Sequence, residues 1–126
     1  MDPQEPNTWV QPAREQGPLT RDVFVLLADF VSARIDPLIA GIPRDADDNT
    51  SRALYALHIQ VIHYSSARAP FERWRTSDDP DERNRLEQRV CWAWDGLCGL
   101  AWSWEDHPDY RADLFGRNHQ TMSASD

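Results

Sequence analysis

Lysine is absent from this chain. All thirteen basic residues are arginine, set against twenty-one acids, for a formal net charge of −8. Binding nucleic acid through phosphate neutralisation needs a basic surface, so no direct nucleic-acid contact is expected. Exclusive use of arginine marks a high-GC genome, with fork-like pairing to carboxylates as its structural consequence. An acidic, phage-type mimic of DNA is a further reading, weakened because interspersed arginines interrupt the negative face that a mimic needs.

Cysteine is nearly as scarce. Two in 126 residues suit a reducing cytoplasm better than a disulfide framework. The apolar runs are too short to span a bilayer, and the opening MDPQEPNTW has no apolar signal-peptide core. The expectation is a soluble cytoplasmic protein with no membrane partner.

The signatures of common chemistries are missing too. There is no GxSxG, Walker or dinucleotide motif. The acidic groups Asp45, Asp47, Asp48 and Asp78, Asp79, Asp81, Glu82 lack the central glycine and closing glutamate of a calcium loop. Both groups fall where helices are expected to begin, and acids suit the positive end of a helix dipole. No cofactor or metal is expected.

What the chain does have is helical periodicity, in a length that suits one domain with a modest core. Residues 1–18 carry four prolines and read as an extended arm, with Trp9 and Val10 as its apolar anchors. Residues 19–115 read as a single helical domain, and the polar residues 116–126 as a loose tail.

Three helices are expected in the body. The first opens at PLTRDVF, with Thr20 as N-cap and Leu19 and Phe24 as a hydrophobic staple. Val23, Phe24, Leu27, Phe30, Val31, Ile35 and Leu38 form its apolar side. Asp36-Pro37 should kink or end it, and Gly41 and Pro43 close the segment. The second follows DADDNTS, carries the stripe Leu54, Leu57, Val61 and Tyr64, and stops at Pro70. The charged stretch FERWRTSDDP then reads as a linker anchored by Trp74.

The third helix starts near Asp79-Pro80, where proline suits the first helical position. Its seam is Leu86, Val90, Ala93, Leu97, Leu100 and Trp104, widened by Trp94 and Ala101. The fold class is therefore all-α, a small antiparallel three-helix bundle with short connections.

Cys91 and Cys98 lie one heptad apart on that helix, so they are separated by ~10.5 Å along its axis. That is too far for a disulfide and wrong for a shared metal ion, which leaves two small apolar residues or a thiol face offered to a partner. His58 and His63 diverge by about 140° around their helix, which disfavours a zinc pair. His107-Pro108 reads as the terminator of the third helix. Asp106 and Asp109 are placed to orient its imidazole, as carboxylates do at catalytic or metal-bound histidines, yet no nucleophile or further ligand stands nearby.

The tryptophans are the most informative feature. Trp94 and Trp104 belong to the seam, whereas Trp92 points away from it, beside a strip of small residues at Gly96, Gly99 and Ser103. Trp102 lies on a neighbouring face. A helix apolar over so much of its circumference is either central or partly offered to a partner.

The run DHPDYR, Asp106 to Arg111, with Phe115 following, resembles the ending of a group of small uncharacterised actinobacterial proteins. The segment DVFVLLADFVSARIDPLIA is similar to that group's opening helix. The resemblance covers about a third of the chain, and the cysteine- and tryptophan-rich middle departs from it. It implies an actinobacterial or actinophage origin and no known activity.

Together these point to a non-enzymatic accessory or regulatory protein that contacts a protein partner or a second copy of itself. Trp92 and Trp102 supply apolar area, and His107, Asp109, Tyr110 and Arg111 polar specificity. The enzyme alternative is a small hydrolytic or metal-dependent activity centred on His107, which requires His58 or His119 to approach it.

Overall fold

In the computed structural model, which describes residues 19–116 and 122–124, Thr20 caps the first helix, α1 (Arg21–Ala40), by accepting from the Val23 N–H at 3.2 Å. Phe24, Leu27, Phe30, Val31 and Ile35 of the expected stripe are buried together with Ala28, whereas Val23 is partly buried and Leu38, past the proline and expected on the same side, is 47% exposed. Pro37 lies inside α1 and does not end it. The helix runs one further turn to Ala40, and the Gly41 N–H closes it on the Pro37 and Ile39 carbonyls. Removing the cap oxygen with Thr20→Ala is expected to cost about 1 kcal/mol in urea unfolding.

Asp48 starts α2 (Asn49–Ser65) in the same way, accepting from both the amide and the hydroxyl of Ser51. These bonds hold the Asp48 carboxyl below its ordinary value of 3.8. A depressed folded value makes the cap's contribution complete above that ordinary value and lost as pH falls through the lower, folded one. Asp48→Asn should therefore flatten the acid limb of the stability profile while leaving neutral-pH stability little changed, as read by urea melts at successive pH values.

The all-helical class stands, with no strand among the described residues, but the count of helices needs correcting. Three long helices are joined by a fourth of nine residues, α3 (Arg68–Thr76), where a linker was expected. Pro70 accounts for the difference. It sits in the first turn of α3, where a missing N–H costs nothing, so it helps open one helix and does not stop the previous one. Phe71 and Trp74 of α3 face the core. Ion pairs from Arg68 to Asp29 and from Arg21 to Glu72 tie α3 to α1, though such surface pairs stabilise weakly beside the apolar burial.

The last helix, α4 (Pro80–Trp102), begins as expected with Asp79 as N-cap and Pro80 at its first position. Arg83 on its first turns donates to the Trp74 and Ser77 carbonyls and lies 4.3 Å over the Trp74 ring, closing the end of α3. Val90, Ala93, Trp94, Leu97, Cys98 and Ala101 of α4 are buried, with Leu86, Leu100 and Trp104 packed partly against them. α1 and α4 each touch all three other helices and together form the centre of the fold.

α4 stops at Trp102, five residues before His107, so His107-Pro108 is not its terminator. The chain instead leaves through successive tight turns, with the Trp104, Glu105 and His107 amides each bonded three residues back. The segment that follows packs across the core. Phe115 is buried, and the buried Trp94 indole N–H donates to the Gly116 carbonyl at 2.7 Å.

Part of the stretch expected to form the tail also meets the body. Met122 is buried and pairs in an isolated bridge with Leu19, and the Ser123 N–H donates to the Leu19 carbonyl. The expected arm, residues 1–18 with Trp9 and Val10, and residues 117–121 of the tail lie outside the described residues.

Candidate functional site

Two surfaces hold the residues singled out from the sequence. The first is the corner after α4. His107 stands edge-on to Phe30 of α1, with ring centroids 5.7 Å apart, and Arg34 one turn further along α1 donates to the imidazole. The Asp109 N–H donates to His107 Nδ1 at 3.0 Å, so the ring is held by Arg34 from α1 and by the backbone of its own turn. Tyr110 packs edge-on against both Phe30 and Phe115. The role of the DHPDY run is thereby partly structural: it turns the chain back so that Tyr110 and Phe115 cover Phe30.

A shallow groove of about 430 Å³ runs between this corner and α1, floored by Phe30, Ala33 and Phe115 and rimmed by Arg34, Asp109 and Arg111. Arg111 forms a two-pronged pair with Asp113 at 2.8 and 3.0 Å, which holds its guanidinium above the usual value. Asp109 and Arg111 are exposed, and His107 and Tyr110 half-buried.

The catalytic arrangement that the sequence left open does not assemble among the described residues. His58 reaches Asp36 at 3.9 Å, whereas His107 meets Arg34. Residues 34 and 36 are about 200° apart around α1, so the two histidines attend opposite sides of that helix. His119 lies outside the described residues. No group of three or more His, Cys, Asp or Glu side chains among the described residues is placed to hold a metal ion.

The second surface is built on α2 and α4. Trp92 is 47% exposed and leans on α2, its ring 4.8 Å from that of Tyr64 and 5.5 Å from that of His63. Arg89, one turn earlier on α4, stacks over Trp92 and donates to the His63 carbonyl and the Ser66 hydroxyl. The small strip beside Trp92 is filled from within the chain at Gly96, because the Tyr64 ring rests directly on it. Trp102 is half-buried, its indole N–H taken by Glu105 at 2.7 Å, and sits ten residues (~15 Å) along α4 from Trp92. Trp92 and the DHPDY corner are therefore separate places.

Sequence reasoning missed the larger part of this second surface. Only Ser51 and Val61 of α2 are fully buried, with Leu57 and Tyr64 packed partly against the core. Opposite them, Tyr55, Ile59 and Ile62 are 39%, 66% and 54% exposed. Their i, i+4, i+7 spacing confines them to an arc of about 60°. Ile59 and exposed His63 are neighbours one turn apart, and His63 touches Trp92, so the stripe and the tryptophan form one continuous surface.

The two cysteines do not present a common thiol face: Cys98 is fully buried and Cys91 exposed. Partial burial, then the Glu87 and Asp95 carboxylates, push the Cys91 thiol above its ordinary value. Its thiolate is correspondingly scarce at neutral pH. Cys91 should alkylate several-fold more slowly than an unhindered thiol at pH 7–8, in a timed iodoacetamide reaction followed by mass spectrometry.

No protein family, curated protein or solved structure matches the chain.

Proposed function

We propose that this chain is a small antiparallel helical bundle that acts by contact with protein, through the surface made by Tyr55, Ile59 and Ile62 of α2 and Trp92 of α4. One observation carries the reading. The side of α2 turned away from the core is as regularly apolar as the side that packs, and it runs through His63 into a half-exposed tryptophan. Scattered apolar residues on a surface are ordinary, but a contiguous patch with a tryptophan, a tyrosine and a stacked arginine has the make-up of an interface centre. The corner at His107, Asp109, Tyr110 and Arg111 supplies a second, more polar contact place, whose exposed Asp109 and Arg111 give register more than affinity.

Affinity capture from the source cell with the wild-type chain and with Ile59→Asp and Trp92→Ala tests this. Proteins retained by the wild type should be lost from both variants at unchanged helical content. An identical set on all three would overturn the assignment of the surface.

A further inference from the structure

We infer that the occupant of the α2 surface is a second copy of this chain, bound about a twofold axis with the two α2 helices antiparallel. This rests on the contact reading above and adds the partner to it. The arrangement of charge along α2 carries the inference. Exposed Asp45, Asp47 and Asp48, flanked by Arg44 and Arg52, leave its N-terminal end net acidic, while Arg89 beside His63, with Arg68 paired to Asp29, leaves its C-terminal end net basic. Between the two ends lies the stripe, with Ile59 near its centre.

A twofold axis near Ile59 lays Tyr55 of each copy against Ile62 of the other and Ile59 against its own equivalent. The same operation brings the acidic end of each helix beside the basic end of its partner, and sets the two helix dipoles in opposition. A parallel pairing would stack the aspartates on one another. The surface is thus more complementary to itself in the antiparallel orientation than in the parallel one. Exposed Ala56 flanks the stripe and lets the two helices approach closely.

The interface is one helix face with Trp92 at its edge, which places it at the small end of specific interfaces. The dissociation constant is expected on the order of 1–100 µM. Raising salt should weaken it, because the aspartates of the acidic end are solvent-exposed.

Sedimentation velocity of the full chain over 1–500 µM is the test, with Ile59→Asp as the disabling variant and circular dichroism to show that this exposed position leaves the fold intact. The wild type should shift from monomer to dimer across that range. Ile59→Asp should raise the dissociation constant roughly 100-fold or more, since each copy would then bury an unpaired carboxylate. Orientation is read separately, in a Cys91→Ser background, by mixing chains carrying Tyr55→Cys with chains carrying Ile62→Cys under mild oxidation. A preferred 55–62 cross-link supports the antiparallel dimer, and preferred 55–55 and 62–62 products overturn it. A wild type that stays monomeric at 500 µM overturns self-association. If its α2 surface is nevertheless shielded from hydroxyl radicals in cell extract, the contact reading stands with a different partner. If it stays monomeric and unshielded, both fail.

Discussion

Phe71→Ala is expected to lower the unfolding free energy by about 3–5 kcal/mol, the usual cost of emptying a fully buried phenylalanine site. Phe71 has no exposed surface and meets Phe24 edge-on at 6.1 Å and Trp74 at 5.9 Å, while Phe24 in turn lies against Trp94. Its removal therefore opens a cavity where α1, α3 and α4 converge. Were residues 71–80 a solvated linker, the same substitution would change stability by no more than about 0.5 kcal/mol. Urea unfolding followed by tryptophan fluorescence separates the two outcomes.

Gly96→Ala is the second large effect, and its sign runs against helix propensity. Alanine inside a helix is ordinarily favoured over glycine by about 1 kcal/mol. Here a Cβ would lie within 2.6 Å of both Cε atoms of Tyr64 and closer still to its Cζ. The ring must swing off α4, and it cannot do so without disturbing its 4.8 Å contact with Trp92. A net destabilisation of about 1–3 kcal/mol is expected from this overpacking. Tyr64→Ala should make the second change nearly harmless, so a double-mutant cycle reports strong coupling between the two positions. Additive effects would mean that Tyr64 does not rest on Gly96.

How far the sequence could be followed depended on where its signals were local. Thr20, Asp48 and Asp79 each stand beside the helix they cap, and the apolar stripes of α1 and α4 are the ones that the structure packs inward, apart from Leu38 beyond Pro37. α3 escaped because nine residues hold only two core contacts, Phe71 and Trp74, among charged neighbours, and because Pro70 is as compatible with a first turn as with an ending. The corner was legible as a special segment but not as a contact. Arg34 and His107 are 73 positions apart, and nothing local in either segment names the other.

α2 presents a different difficulty. Leu54, Leu57, Val61 and Tyr64 on one side and Tyr55, Ile59 and Ile62 on the other are both regular helical stripes. Periodicity identifies the helix and cannot tell which stripe faces the core, because that depends on the helices packed against it. The stripe left outside is the part of the candidate site that only the fold reveals.

Hydroxyl-radical footprinting of the chain, dilute and purified against the same chain in extract of the cells that make it, addresses the contact surface most directly. Tyr55, Ile59, Ile62 and Trp92 should be oxidised readily in the dilute protein and several-fold less in extract, or in the purified chain concentrated to several hundred micromolar where the occupant is a second copy. The exposed side chain of Leu38, on α1, should serve as the unchanged reference. Equal oxidation of the four residues in dilute, concentrated and extract samples would contradict the account.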